Sequence, residues 1–170
     1  MMKFLNVFFV FIAATVLNWL AIELFSPLEI SLGIMLAFSI IMSGFLNEAG
    51  GYAFAFVSGL FLDFFSDVLF GGYALVFTLI MFTFYRIADK IDFKDTFPQV
   101  IITAGLNFLC VLLYGLCGLL FTGQFLWQGL KSFVAGSLLT GLFMPFIYMF
   151  ATKYLIFNVL KNNNESKNLF

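Results

Sequence analysis

The charged side chains of this chain are too few and too clustered for a water-soluble domain. The 170 residues hold 8 Lys and Arg and 9 Asp and Glu, and these bound long apolar runs instead of alternating with them. After Lys3, residues 4–22 are apolar except for Asn6, Thr15 and Asn18, and Glu23 ends the run. A helix needs about 20 mainly apolar residues to cross a hydrocarbon core of about 30 Å. The same reading along the chain gives six runs, at about residues 4–22, 27–46, 50–66, 72–87, 98–121 and 130–157. The sequence thus predicts an all-α integral membrane protein. One six-helix domain covers residues 1–160, and a polar tail covers residues 161–170. The first run is long for the apolar core of a secretory signal peptide, and no small-x-small cleavage pattern follows it.

Composition removes most other classes. Charged residues make up 10% and apolar residues 63%, against about 25% and 45–50% in soluble domains. A net charge of −1 gives no basic excess for nucleic acid. Histidine is absent, and with it the commonest general base. No P-loop, dinucleotide fingerprint, zinc spacing or nucleophile–base set occurs. The chain therefore reads as a non-enzyme without a cofactor or metal. Cys110 and Cys117 sit on one face of the fifth run and read as small hydrophobes.

Six spans put both termini on one side. Lys3, Arg86, Lys90, Lys94, Lys153, Lys161 and Lys167 then share that side, and Lys131 lies opposite. The positive-inside rule makes the termini and the charged loop over 86–95 cytoplasmic. Glu23, Glu29, Asp67 and Lys131 fall on the outer side. Ser26-Pro27-Leu28-Glu29 reads as a capping box with proline at the first helical position, opening the second span.

Small residues let membrane helices approach closely. Gly51, Ala55 and Gly59 line one face of the third span, and Asp63 continues the row. Ser132, Gly136 and Thr140 repeat the device on the sixth. Both faces read as contacts with another helix or with a partner span. Pro145 lacks an N–H and frees the carbonyl of Gly141, which predicts a local kink. Asp63 is the residue that most needs an explanation, because a carboxylate near the bilayer centre costs about 2.5–3.5 kcal/mol on insertion scales. It could pair inside the bundle, line an outward-facing site, with or without a cation shared with Asp67, or sit solvated near the interface.

Gly59-Leu60-Phe61-Leu62-Asp63-Phe64-Phe65-Ser66, followed by Gly71-Gly72-Tyr73-Ala74-Leu75, resembles the rod shape-determining MreD family. That family shows a Gly-Leu-x-x-Asp helix end, a short outer turn and a Gly-x-x-Ala-Leu start. Ser26-Pro27 stands at the family's proline before the second span, and Pro145 at the proline of its last. Glu29 stands where the family often has aspartate, and Thr140 where it often has asparagine. The resemblance implies a scaffold subunit of the bacterial cell-elongation (peptidoglycan-synthesis) complex in the inner membrane. Its partner would be an MreC-like single-span protein. Through that protein it would reach MreB filaments, the polymerase RodA and a class B penicillin-binding transpeptidase. The alternative is a substrate-binding S component of an energy-coupling-factor vitamin transporter. There Gly51, Ala55 and Gly59 would dock a coupling subunit, and Asp63, Tyr73 and Trp127 would line a vitamin pocket. The few polar groups in the short outer connections favour the scaffold.

Overall fold

The computed structural model describes residues 4–66, 69–88, 95–126 and 129–160, with side-chain surroundings for those between 7 and 153. Asp67, residues 89–94 of the charged loop, Trp127, Gln128, Lys3 and the tail over 161–170 lie outside the described residues. Six α-helices follow one another: α1 (Phe4–Phe25), α2 (Ile34–Ser43), α3 (Glu48–Asp63), α4 (Gly72–Ala88), α5 (Thr96–Thr122) and α6 (Ser137–Leu160). A 3-10 turn covers Ser26–Leu28, and a π-helical turn over Ser132–Gly136 leads into α6. No strand occurs among the described residues.

Three helical stretches are long and apolar enough to cross a membrane: Val7–Leu28, Thr96–Thr122 and Ser132–Lys153. They coincide with the spans expected over 4–22, 98–121 and 130–157, and the runs expected over 27–46, 50–66 and 72–87 form shorter helices. The largest departure is the second, expected over 27–46. Its helix has only 10 residues, about 15 Å at 1.5 Å per residue, half of a hydrocarbon core. The predicted capping box does not open it. Ser26 and Pro27 belong to the 3-10 turn, whose end is Glu29 at φ 57. A left-handed residue cannot continue a right-handed helix, so the chain runs irregularly to Gly33 before α2 begins.

Every residue of α2 is buried. It packs against each of the other five helices and forms the axis of the bundle. Its sequence suits that position, because a helix that is apolar all round has no face for water. Its two serines turn inward on their own backbone: Ser39 Oγ donates to the Met35 carbonyl at 2.9 Å and Ser43 Oγ to that of Ile40 at 2.6 Å. Asn47 caps α3 by accepting the Gly50 N–H at 3.0 Å, with Glu48 in the first turn, where helix N-termini favour negative charge. Pro98 falls in the first turn of α5, where its missing N–H costs nothing.

The outer surface is apolar. On α1, Phe9, Trp19 and Leu20 are more than half exposed, as are Leu120 on α5 and Phe146 on α6. Patches of this extent mark surfaces that meet something other than water. Among the charged residues with described side chains, Asp63 alone is buried.

Candidate functional site

The residues that carry chemistry gather at the end of the bundle where α3 stops and α4 starts. The first N–H groups of any helix lack intrahelical partners, and those of α4 are fully accounted for. The Gly72 N–H donates to the Leu69 carbonyl at 3.3 Å, and that of Leu75 to Gly71 at 3.0 Å. Between them, the Tyr73 N–H donates to Asp63 Oδ1 at 2.9 Å and the Ala74 N–H to Oδ2 at 3.0 Å. Asp63 is 1% exposed. Both its oxygens are engaged by a helix N-terminus, the end of the macrodipole that favours an anion. This is how the fold offsets the burial of its carboxylate. Gly71 precedes α4 at φ +86, which favours glycine.

Gly59 lies one turn before Asp63 and makes the corner possible. A Cβ there would lie 2.5 Å from Ala74 Cα and 2.6 Å from Ala74 N. The backbones of α3 and α4 thus touch at this point. Ala55 is fully buried, and a Cβ on Gly51 would strike the Tyr85 hydroxyl of α4. The Gly51–Ala55–Gly59 row is therefore covered by α4 of the same chain. Gly72 abuts the Leu69 and Tyr114 side chains. The Gly51–Ala55–Gly59 row and Asp63 thus serve helix packing within the chain, one of the two roles expected for them.

The second small-residue face is also used within the chain, and in a different way. Ser132 Oγ accepts the Ser31 N–H at 3.0 Å, and Thr140 Oγ1 accepts the Gly33 N–H at 2.9 Å. A Cβ on Gly136 would collide with the Ser31 carbonyl oxygen. The π turn and α6 thus hold the irregular segment before α2. Non-helical backbone inside a bundle needs its N–H groups answered by other protein groups, and these hydroxyls do so. Thr140→Val keeps the side-chain shape and removes the acceptor. It is expected to lower stability by about 1–3 kcal/mol, the cost of a buried donor left unpaired. Thr140→Ser is expected to stay near wild type, both read by thermal unfolding in detergent. Pro145 lies inside α6, which is helical on both sides of it, and an irregular π turn stands at the start of that helix. Gly141 serves close packing, since a Cβ there would lie 2.6 Å from the Val100 carbonyl oxygen of α5.

A cavity of about 300 Å³ opens beside the Asp63 corner. Its polar lining comes from Asn18 of α1, Ser31 before α2, Ser66 after α3, Tyr73 of α4, and Asn107 and Tyr114 of α5. Ser66 Oγ and Tyr114 OH are hydrogen-bonded at 3.0 Å. Tyr114 stacks on Tyr73 with ring centroids 4.0 Å apart. Asn107 Nδ2 donates to Ser137 Oγ at 3.3 Å, and that hydroxyl donates to the Phe133 carbonyl at 2.7 Å. The Asn18 side-chain amide is 9% exposed and has no hydrogen-bond partner among the described residues.

Sequence reading singled out Asp63 and Tyr73 of this end but passed over Asn18, Asn107, Ser66 and Tyr114. The available signal was an amide inside an otherwise apolar helix, present at both Asn18 and Asn107. Comparison with protein-family models, with curated proteins and with solved structures finds no match for this chain.

Proposed function

We propose that this chain is a scaffold subunit of the bacterial cell-elongation machinery, similar to MreD, and not an enzyme. It would lie in the plasma membrane with both termini cytoplasmic, as the lysine and arginine distribution favours. Its direct partner would be an MreC-like single-span protein, which would link it to MreB, RodA and a class B penicillin-binding transpeptidase. One observation carries the reading. The residues that resemble the family, Gly59 through Asp63 and Gly71 through Ala74, form a single interlocked corner. The glycine admits the α4 backbone and the aspartate ties it, so each half of the pattern has a physical need for the other. With the small-residue faces covered internally, a partner span is left the apolar outer faces that every helix but α2 presents.

Affinity purification of the full chain from native membranes in mild detergent, read by mass spectrometry, tests the proposal. Recovery of a single-span coiled-coil protein together with wall-synthesis enzymes is the expected result. Recovery of a transmembrane coupling subunit with paired ATPases overturns it in favour of a transporter.

A further inference from the structure

We infer that the cavity beside the Asp63 corner binds an uncharged molecule that carries a carbonyl, amide or hydroxyl group on an apolar body. This goes beyond the scaffold reading and does not depend on it.

Asn18 is the starting point. It is 9% exposed, lies midway along an apolar helix and borders the cavity. Its amide faces the cavity with no protein partner among the described residues, so whatever fills the cavity meets it. Its neighbours on the wall are already engaged: Asn107 is tied to Ser137, and Ser66 to Tyr114. The Asn18 amide offers two donors and an acceptor, all available to a molecule in the cavity. The chemistry of that molecule follows from the rest of the wall. No Asp, Glu, Lys or Arg lines the cavity among the described residues, and Asp63 has both oxygens committed to α4. A charged ligand would thus be buried without a counter-charge, which is strongly disfavoured. The stacked Tyr73–Tyr114 pair and the apolar side chains of Leu36 and Phe77 suit a hydrocarbon or aromatic body. A volume of about 300 Å³ falls at the lower end of ligand pockets. It suits a one- or two-ring solute, or the head and first carbons of a neutral lipid. Both sources present the same chemistry to Asn18.

The test uses the full chain purified in a mild glycosidic detergent. Native mass spectrometry of the wild type is expected to show one equivalent of a neutral molecule other than detergent. Asn18→Leu is expected to lower its occupancy at least tenfold. Organic extraction and accurate mass then separate a membrane lipid from a water-soluble solute, and either supports the proposal. A second readout does not depend on the Asn18 variant. Cys110 borders the cavity and Cys117 does not, so Cys117→Ala leaves one reporting thiol. Methyl methanethiosulfonate should modify Cys110 at least fivefold faster after delipidation, when the bound molecule has been stripped. A wild-type protein that carries nothing beyond detergent overturns the proposal. So does equal occupancy in Asn18→Leu, which locates the molecule elsewhere, and so does a Cys110 rate indifferent to stripping.

Discussion

Gly59→Ala is expected to lower the stability of the folded chain by about 2–4 kcal/mol, while Gly105→Ala leaves it unchanged or slightly raised. Both glycines are helical, and alanine has the better helix propensity by up to about 1 kcal/mol. At Gly105 nothing lies within 4 Å of an added Cβ, so propensity decides the sign. At Gly59 the added carbon meets α4 backbone at 2.5 Å, and backbone cannot swing aside as a side-chain tip can. Overpacking of this kind costs about 1–3 kcal/mol by itself. Moving α4 also stretches the two Asp63 bonds, and so the collision outweighs the propensity gain. A thiol-reactive fluorophore provides the measurement, because Cys110 and Cys117 are free and buried in the folded chain. Equal midpoints for the two variants would show that α3 and α4 do not meet at Gly59.

The second large effect is expected at Asp63. Asp63→Ala strands the Tyr73 and Ala74 N–H groups at the start of α4, at about 1–3 kcal/mol for each buried donor left unpaired. A total of roughly 3–5 kcal/mol follows on the same scale. Asp63→Asn keeps one acceptor oxygen and turns an NH₂ toward the other donor, so about half of that loss is expected. In cells, Asp63→Ala should accumulate poorly and should lose any partner for that reason. The two corner residues are also expected to couple. Once Gly59→Ala has pushed α4 away, removing the carboxylate costs less, by about 0.5–3 kcal/mol in a double-mutant cycle. Strict additivity would mean that the glycine and the aspartate act separately.

Much of this fold is legible in the sequence because it is written locally. The long charge-free run over 96–122 announces α5, and the glycines at 71 and 123 mark turns that the backbone makes at positive φ. Asp63 stands out as a charge inside an apolar helix, and its α4 partners begin only ten residues later. The second span misleads for the opposite reason. Ser26, Pro27 and Glu29 carry the local grammar of a helix start, yet the chain turns left-handed at Glu29. The groups that make the irregular segment tolerable are Ser132 and Thr140, more than a hundred positions away. No local pattern encodes such a pairing. The cavity is hidden likewise, since its wall is assembled from five separated stretches, each of which reads as ordinary apolar helix or turn.

The dependence of the α2 approach on α6 has a consequence for the order of synthesis. The Ser31 and Gly33 N–H groups wait for acceptors that leave the ribosome 101 and 107 residues later. Until then that stretch of backbone lacks the side-chain acceptors it has in the folded chain. The nascent chain can seat α2 against α1, α3 and α4, yet it carries the segment leading into α2 unanswered until the π turn and α6 arrive. A form shortened before residue 132 would keep that approach without its acceptors.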